Sequence, residues 1–361
     1  MQGKNDKEHW GRNQPKKVIP HKQDRVKWVN YPLKMSAITR PFNPPNHLRP
    51  FDVRKDLNAV ADLVETCFAE TLDEDGRRYI KHMHNAARNP TYLRWAMAVA
   101  ENIPMPFSGY VWEENGYLAG NLSLIPYKYQ GKRCYLIANV AVDPGYRRKG
   151  IAKALTNSAI EHAKNRGAAE IWLHVRSDNE SAKNLYHSLG FVEQAQRTTW
   201  EIKPGSENVA PPLSSNPPEG VDIVRLQSSH WTQYRQWLRT LYPPELTWHQ
   251  SYNQATFQPG WLGSIYRIFS GNQVRQWAAQ QGPRLIGVLA WQPHSKYADH
   301  LWLASSPEDE GDTITALYPR VQQKLARRRR MLLDYPAGRA ILALHETGFH
   351  IQQTLVWMRL E

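Results

Sequence analysis

The sequence predicts an α/β protein of two similar domains, each a mixed, mostly antiparallel sheet flanked by helices, preceded by a disordered basic N-terminal tail. Three observations predict this fold class. At 361 residues the chain is too long for one ordinary hydrophobic core. Apolar runs typical of strands alternate with helical patterns on both sides of a linker rich in Pro and Ser. Segments of the first half also recur in the second half in the same order.

These features predict the domain boundaries. The chain divides into a tail (1–47), a first domain (48–203), a linker (204–219) and a second domain (220–361). Up to Pro50 there are eleven Lys and Arg residues against three Asp and Glu, so this segment holds +8 of the net charge of +13. Because it shows no strand or helix period, we expect a disordered, solvated tail, with an arm for nucleic acid or an acidic protein as the alternative.

The first domain begins with a short strand and two helices. A strand is predicted at Leu48–Phe51, and Asp56 is the predicted N-terminal cap of the next helix. A second helix is predicted over 75–89, bounded by Pro90. The pair Asn115-Gly116 between two alternating runs then predicts a hairpin of strands 109–114 and 117–129.

Strands and helices alternate through the rest of this domain. The predicted order is a strand (136–142), a loop, a helix (154–166), a strand (171–175), a helix (179–189) and a strand (191–202). Gly167 and Gly190 follow the two helices, as is typical of helix C-termini. This order places the basic stretch 147–152 between a buried strand and the start of a helix.

The stretch 147–152 has the composition of an anion site. The first turn of a helix leaves backbone N–H groups unpaired, and these groups attract an anion together with the helix dipole. Gly150 and Ala152 have small side chains or none, so a pyrophosphate group can approach the backbone closely. Positive charge is added by Arg147, Arg148 and Lys149.

The second domain repeats the first. Residues 276–287 have the pattern of the earlier hairpin, with Gly287 in the place of Gly120. Residues 339–349 align with 181–191, with a His and a Gly-Phe pair in register. Internal duplication is the simplest explanation.

Cysteine content and hydropathy exclude several classes of protein. The chain has two cysteines, Cys67 and Cys134, in apolar surroundings, so we expect neither a disulfide framework nor a metal site. An apolar run of about 18 residues and a signal-peptide core are both absent. We therefore expect a soluble cytoplasmic protein without a membrane partner.

Two motifs make residues 48–202 resemble the GCN5-related N-acetyltransferase (GNAT) family. The first is Arg147-x-x-Gly150-x-Ala152 after an apolar strand. The second is Asn179-x-x-Ala182-x-x-x-Tyr186-x-x-x-Gly190-Phe191 after the next strand. Their order and spacing make the pair far more specific than either motif alone.

The resemblance implies acetyl-coenzyme A as co-substrate and no metal. In the family the pyrophosphate lies on the loop, here residues 147–152 including Ile151, and the pantetheine amides pair with the preceding strand, here Val140, Ala141 and Val142. The family position of Asn179 contacts the coenzyme near the pantetheine arm. A plain helix N-cap is the alternative role for Asn179, and both roles are compatible.

Two side chains are candidates for proton transfer. Tyr186 is the predicted donor to the leaving thiolate, since a phenol with its usual pKa near 10 is competent for that step. The alternative is that Tyr186 has only a structural role, as a half-buried aromatic residue on a helix face. His174 lies where the ribosomal-protein N-terminal acetyltransferases, which Leu173-His174-Val175-Arg176 resembles, have a glutamate base. A water chain is the alternative to His174.

The second domain lacks these features. Where the basic loop is expected it has the acidic residues Glu308, Asp309, Glu310 and Asp312, which are expected to repel a pyrophosphate. Leu344 replaces the tyrosine and Ala337 replaces the asparagine. A basic run at 327–330 is interpreted as solvated residues at a helix C-terminus, with nucleic-acid contacts as the alternative. We therefore expect one coenzyme site per molecule.

The predicted function is transfer of an acetyl group from acetyl-coenzyme A to a primary amine, with a small-molecule amine favoured as acceptor. The alternatives are an acetyltransferase acting on a protein N-terminus or lysine, and a non-catalytic factor that binds coenzyme or associates with nucleic acid. We expect a monomer whose two domains pack together.

Overall fold

In the computed structural model, the described residues are 46–72, 74–203, 217–248, 252–271, 273–293, 298–324 and 329–361. The strands are β1 (Leu48–Pro50), β2 (Ser108–Glu114), β3 (Tyr117–Tyr129), β4 (Lys132–Val142), β5 (Glu170–Arg176), β6 (Phe191–Ile202), β7 (Val221–Val224), β8 (Arg275–Gln281), β9 (Arg284–Pro293), β10 (Ala298–Ser305), β11 (Arg330–Pro336) and β12 (His350–Leu360). The helices are α1 (Val53–Phe68), α2 (Glu74–Ala87), α3 (Pro90–Val99), α4 (Ile151–Asn165), α5 (Glu180–Ser188), α6 (Trp231–Leu241), α7 (Pro244–Thr247), α8 (Gly260–Ser270), α9 (Glu310–Lys324) and α10 (Ile341–Glu346). Residues 1–45 of the predicted tail and most of the linker lie outside the described residues.

The described strands form one continuous sheet. Its order is β1-β2-β3-β4-β5-β12-β6-β11-β10-β9-β8-β7. Within the described ranges β4 pairs in parallel with β5 and β10 in parallel with β11, and the other pairings are antiparallel. The predicted fold class, a mixed and mostly antiparallel sheet flanked by helices, is confirmed.

Strands from the two halves of the chain interleave at the centre of this sheet. Strand β12 lies between β5 and β6, so that Trp357 is opposite His174 on one side and Ala195 on the other. Strand β6 in turn pairs with β11, where Trp200 is opposite Leu333. The first half therefore receives a central strand from the second. The boundaries at 203 and 220 stay predictions.

The helices cover the two faces of the sheet. Alternate residues of a strand point to opposite faces. Ile137 and Leu173 pack in one core with α4 and α5. Leu136 and Trp172 lie in another core on the opposite face, together with Leu246 of α7. The same alternation at Val111 and Trp112 places α1–α3 on the face opposite α4.

The predicted cap of α1 is wrong by one turn. Asp52 is the cap, and its side chain accepts a hydrogen bond from the Arg54 backbone N–H. Asp56 is instead a buried residue of the helix, 2% exposed, whose carboxylate pairs with Arg49 at 2.7 Å. A carboxylate this buried needs a charged partner, and Arg49 from β1 supplies it. Asp is a common cap residue, so the local sequence favoured a cap at Asp56. The ion pair with Arg49 could not be read from the residues next to Asp56.

Helix α3 was not predicted. The proline at position 90, taken as a boundary, is the first residue of α3, where a missing N–H carries no cost. The Asn89 side chain caps the helix by accepting from the Tyr92 backbone N–H at 3.0 Å. Pro90 therefore begins a third helix, and the second helix ends shortly before it.

A partly buried acid fastens the last turn of α4. Glu101 follows α3, and its carboxylate accepts a hydrogen bond from the Tyr135 hydroxyl at 3.0 Å. His162 of α4 places Nε2 3.3 Å from the other carboxylate oxygen. The His162 contact, followed by the Tyr135 bond, lowers the pKa of Glu101 to about 2. These contacts attach the C-terminal end of α4 to β4.

We expect Glu101→Gln to destabilise the protein in a pH-dependent way. The folded-state pKa of about 2 lies below the usual 4.5, so stability from Glu101 is fully present above about pH 4.5 and is lost as the pH falls toward 2. Because the side chain is 24% exposed, the loss at neutral pH should be on the order of 1–2 kcal/mol. Urea unfolding at several pH values measures it. Glu161→Gln, an exposed neighbour on α4, is the control, and a deficit that did not shrink in acid would contradict the assignment.

We expect Trp357→Ala to destabilise both halves together. Trp357 is 3% exposed and contacts Trp172 and His174 across the ladder between β12 and β5. Removing a buried aromatic side chain should cost about 3–5 kcal/mol. Chemical denaturation should show one cooperative transition at lower denaturant. Ile351→Ala on the same strand, where the side chain is 48% exposed, should change little, and two separate transitions in the wild-type protein would refute the coupling.

Candidate active site

Strands β4 and β5 part at the centre of the first half. Their ladder joins Cys134–Ile137 to Glu170–Leu173 and stops there, although β4 continues to Val142 and β5 to Arg176. Both strands are fully described, so the end of the ladder marks a gap between them. The gap opens toward the start of α4.

A bulge in β4 accompanies the gap. Asn121 is opposite Ala141 and Ser123 is opposite Ala138, so β4 has one more residue here than β3. Asn139 lies in the bulge in the left-handed region, with φ of 51°. Asn121 Nδ2 donates to the Asn139 carbonyl at 3.0 Å, and Asn139 Nδ2 lies 3.3 Å from Ser123 Oγ. A bulge bends its strand, which here widens the separation from β5.

The backbone of Val142 faces the gap. The Asp143 N–H donates to the Ala119 carbonyl, so by the alternation of an antiparallel ladder the next residue, Val142, directs its N–H and C=O away from β3. Ala141 directs its backbone groups toward β3. The Val142 carbonyl already accepts from Arg147 Nε at 3.2 Å and from the Cys67 thiol at 3.3 Å. The Val142 N–H also faces the gap, and the bonds to Arg147 and Cys67 do not involve it.

A cavity of about 1240 Å³ occupies the gap. It extends from the end of α1 across the open edge of β4 to α5. Its lining includes Cys67, Phe68, Thr71, Val140, Ala141, Val142, Tyr146, Arg147, Arg148, Gly150, Ile151, Ala152, Lys153, Arg176, Asp178, Asn179 and Tyr186. Most of the predicted coenzyme-binding residues therefore border one space.

The loop before α4 is held by its own hydrogen bonds. Asp143 accepts from the Gly145 N–H at 2.8 Å and from the Tyr117 hydroxyl at 2.6 Å. Arg148 and Gly150 both have positive φ, 64° and 81°. Glycine adopts this conformation without strain, so Gly150 suits the turn into the helix.

Gly120 allows the start of α4 to lie close to the sheet. A Cβ atom at Gly120 would lie 2.8 Å from Ile151 Cγ2, which is too close for a side chain. The N–H of Ala154 bonds to the Gly150 carbonyl, so the N–H groups before it have no acceptor within the helix. These groups and the guanidinium groups of Arg147 and Arg148 can bind a phosphate-sized anion.

Lys149 lies apart from the cavity lining. Its ammonium group is 4.6 Å from the centroid of the Tyr146 ring, in cation–π geometry. Tyr146 itself borders the cavity. Lys149 therefore adds charge to the loop from outside the lining.

Asn179 and Tyr186 both border the cavity from α5. The Asn179 side-chain oxygen accepts from the Ala182 N–H at 3.1 Å, which confirms the helix-cap alternative and leaves its amide NH₂ for another partner. Tyr186 is 6% exposed and packs edge-on against Phe191. Burial raises the pKa of Tyr186 to about 12. The phenol therefore stays protonated at neutral pH and can donate a proton.

His174 is not one of the residues that line this cavity. Leu173 and Val175 pack in the same core as Tyr186, so the alternation of β5 places His174 on the opposite face. Its ring lies 5.2 Å from the Trp357 ring. The structure thus brings Tyr186 and Asn179 to the basic loop, and places His174 on the opposite face of β5.

Sequence reasoning missed the wall of the cavity formed by α1. Cys67, Phe68 and Thr71 lie at the end of this helix. Burial raises the pKa of the Cys67 thiol. No motif marks these residues, and their spacing is that of any helix face. In the sequence, Gly120 stands out only because Gly287 repeats it. The structure gives the physical reason for a glycine there, which is the close approach of Ile151.

The corresponding part of the second half carries side-chain hydrogen bonds and ion pairs at the start of α9. The ladder between β10 and β11 joins Ala298–Leu301 to Arg330–Leu333 and likewise ends before the strands do. The Tyr335 hydroxyl donates to Glu310 at 2.6 Å, and Arg339 also pairs with Glu310. Asp309 forms two hydrogen bonds with Arg284, at 2.7 and 2.9 Å.

These contacts pair two of the predicted acidic residues, Asp309 with Arg284 and Glu310 with Arg339. The buried Tyr335 of β11 is joined to Glu310 at the start of α9. The absence of a coenzyme site in the second half stays a prediction. Gly287 repeats the close approach of Gly120, since a Cβ there would lie 2.3 Å from Thr313 Oγ1.

The interpretation of the basic run 327–330 as solvated is wrong for its last member. Arg330 is 5% exposed and pairs with Glu201 at 2.5 Å and with Asp75 of α2. Arg329 pairs with Asp299 at 3.2 Å. Residues 327 and 328 lie outside the described part of the chain. Arg330 therefore links α2 to the strands at the centre of the sheet.

Within the described ranges, no group of three or more His, Cys, Asp or Glu residues is arranged to hold a metal ion. In the same part of the chain, none of the helices has the length and hydrophobicity needed to cross a membrane.

Comparison with known proteins agrees with the two motifs. Residues 59–191 match the acetyltransferase (GNAT) family. The [ribosomal protein bS18]-alanine N-acetyltransferase of Escherichia coli is 45% identical over 62 residues, which are 17% of this chain and 42% of that protein. The mycothiol acetyltransferase of Kocuria rhizophila is 29% identical over 146 residues, 40% of this chain and 45% of that protein. The chain thus spans less than half the length of these relatives.

A solved structure resembles almost the whole fold. The GCN5-related N-acetyltransferase from Sphaerobacter thermophilus has a TM-score of 0.52 at 13% identity, covering 88% of this chain and 96% of that one. At this identity the likeness concerns the fold alone. The family match over 59–191 contains both motifs, so residues 59–191 are a domain of the acetyltransferase (GNAT) family.

Proposed function

We propose that the first half of the chain transfers an acetyl group from acetyl-coenzyme A to a primary amine. One observation carries the proposal: the cavity between β4 and β5 places the basic start of α4 and the phenol of Tyr186 in one space. An anion site can bind the phosphates of a coenzyme, and a buried proton donor can protonate a leaving group. The joint presence of both supports an acyl-transfer site.

The start of α4 would hold the pyrophosphate of the coenzyme. The unpaired N–H groups of Ile151 and Ala152 face this end of the cavity, and Arg147 and Arg148 add positive charge. The N–H of Val142 and the backbone of Val140 are the candidates for pairing with the pantetheine arm. The Val142 carbonyl already accepts hydrogen bonds from Arg147 and Cys67. The N–H is therefore the backbone group of Val142 that we propose for the pantetheine arm.

The reaction would proceed by direct attack. The amine nitrogen forms a bond to the thioester carbonyl carbon, and the carbon–sulfur bond breaks with its electron pair on sulfur. Tyr186 donates its hydroxyl proton to that thiolate. Because burial raises its pKa to about 12, Tyr186 is fully protonated at neutral pH and is recharged by the proton that the amine releases.

His174 stays the candidate general base. Its position on the face of β5 that also carries Trp172 places it away from Tyr186, as removal of a proton from an entering amine would require. A water chain is the alternative, since His174 is not among the residues that line the cavity.

The acceptor is proposed to be a small-molecule amine, with a protein N-terminus or lysine as the alternative. One relative is named for an alanine of ribosomal protein bS18 and another for mycothiol, so each kind of acceptor has a relative to support it. We also propose one coenzyme site per molecule, because the start of α9 carries acidic residues where the first half has arginines, and one of them, Glu310, is already bonded to Tyr335. A monomer is proposed because the halves already share a sheet.

We expect Arg148→Glu to weaken coenzyme A binding by about tenfold or more, because it reverses a charge beside the proposed pyrophosphate site. Titration calorimetry at two salt concentrations measures the effect, which should shrink at high salt. Lys164→Glu makes the same charge change in the exposed last turn of α4 and is the matched control. Equal weakening by both variants would indicate a general charge effect and would contradict a site at this loop.

We expect Tyr186→Phe to lower kcat by about a hundredfold and to leave coenzyme A affinity unchanged, because only the proton donor is removed. Release of free coenzyme A thiol measures kcat. Tyr146→Phe, which removes the hydroxyl of another cavity tyrosine, is the matched control and should change kcat little. An unchanged kcat in Tyr186→Phe would remove Tyr186 from the mechanism.

The acceptor is identified with the same thiol-release measurement on a panel of small amines and N-terminal peptides. Turnover with small amines supports the proposal, and turnover with peptides alone supports the protein alternative. Coenzyme binding without turnover on any acceptor would favour a non-catalytic coenzyme-binding factor.

A further inference from the structure

Helix α8 has its hydrophobic side facing outward. Successive residues of a helix are separated by 100°, so positions 261, 265, 268 and 269 share one face. These positions hold Trp261, Ile265, Ile268 and Phe269, which are 70%, 42%, 77% and 87% exposed. A helix of a globular protein normally buries such a face. In α8 the usual arrangement is inverted.

The inward side of α8 is polar and tightly fitted. A Cβ atom at Gly263 would lie 1.7 Å from the Gln258 carbonyl oxygen, so only glycine fits there. Arg267 donates from one guanidinium nitrogen to the carbonyls of Thr256 and Gln258, at 3.1 and 2.9 Å. The Tyr266 hydroxyl accepts from Asn253 at 2.6 Å. These contacts fix the rotation of the helix, so the apolar side cannot turn inward without breaking them.

The segment of chain that contains α8 is basic. Residues 227–281 contain four arginines and one acid, Glu245. Glu245 accepts a hydrogen bond from Tyr129, in the first half. Arg235 and Arg239 are exposed on α6, and α6 is joined to the turn that Arg267 contacts by the bond from Gln254 to the Arg235 carbonyl. An exposed apolar helix face in a basic segment matches an anionic surface with an apolar interior.

We propose that α8 docks on an anionic lipid membrane, with its apolar face in the boundary between headgroups and acyl chains. The exposures of Trp261, Ile268 and Phe269 show that these side chains protrude as a ridge. A ridge inserts readily into a deformable lipid interface, whereas a protein partner must supply a matching groove. A second copy of this chain is disfavoured because its net charge of +13 would oppose a like-charged neighbour.

This proposal revises the expectation of no membrane partner. That expectation rested on the missing apolar run of spanning length, which excludes crossing and not surface attachment. The sequence alone could not show the inversion, because the apolar residues of α8 have the same spacing as those of a buried helix. The contacts of Gly263 and Arg267 decide which side faces out.

The test is co-sedimentation of the full chain with vesicles of phosphatidylcholine, with or without phosphatidylglycerol. We expect binding to the mixed vesicles, and the double change Ile268→Ser with Phe269→Ser should lower affinity by about tenfold or more. Leu342→Ser is the matched control, since Leu342 is 78% exposed on α10, and it should bind like the wild type. Unfolding midpoints and coenzyme A titration verify that each variant is folded.

Three results would overturn the proposal. Equal vesicle binding by the wild type and the double variant would assign binding to general positive charge, including that of residues 1–47. Absence of binding to mixed vesicles would exclude a lipid partner. Concentration-dependent self-association that the double variant lacks, without vesicle binding, would assign α8 to a contact between two copies.

Discussion

The insertion of β12 between β5 and β6 is the constraint on which the rest of the structure depends. Strand β5 pairs with β4 over only four residues before the two strands part, so its outer half is held by β12, from Arg176 to Trp172. The same strand leads directly to Asn179 and to the helix that carries Tyr186. One wall of the candidate active site is thus fixed in place by a strand from the other half of the chain.

The two halves show how similar frames can hold different chemistry. In both, a parallel pair of strands parts beside a helix start, and a glycine lets that helix approach the sheet. In the first half the loop carries Arg147 and Arg148 and the gap is open. In the second half Glu310, at the start of the helix, is hydrogen-bonded to Tyr335 of the parallel pair. A few residues at one helix start therefore distinguish the two halves.

The features that could be predicted from the sequence are those set by neighbouring residues. A helix start after a basic loop, the cap at Asn179 and the position of Tyr186 each depend on a few adjacent residues. The bulge at Asn139 could not be predicted, since it depends on the register with β3. The sequence offered His174 and Tyr186 as separate candidates for base and acid, but it did not show that alternation along β5 places them on opposite faces of the sheet.

The interleaved sheet also affects the order of events during synthesis. Strands β5 and β6 leave the ribosome long before β12, which follows β6 by well over a hundred residues. Until β12 arrives, both strands have open edges, and open edges invite pairing with other chains. The central part of the first half's sheet is therefore completed only after the second half has been translated.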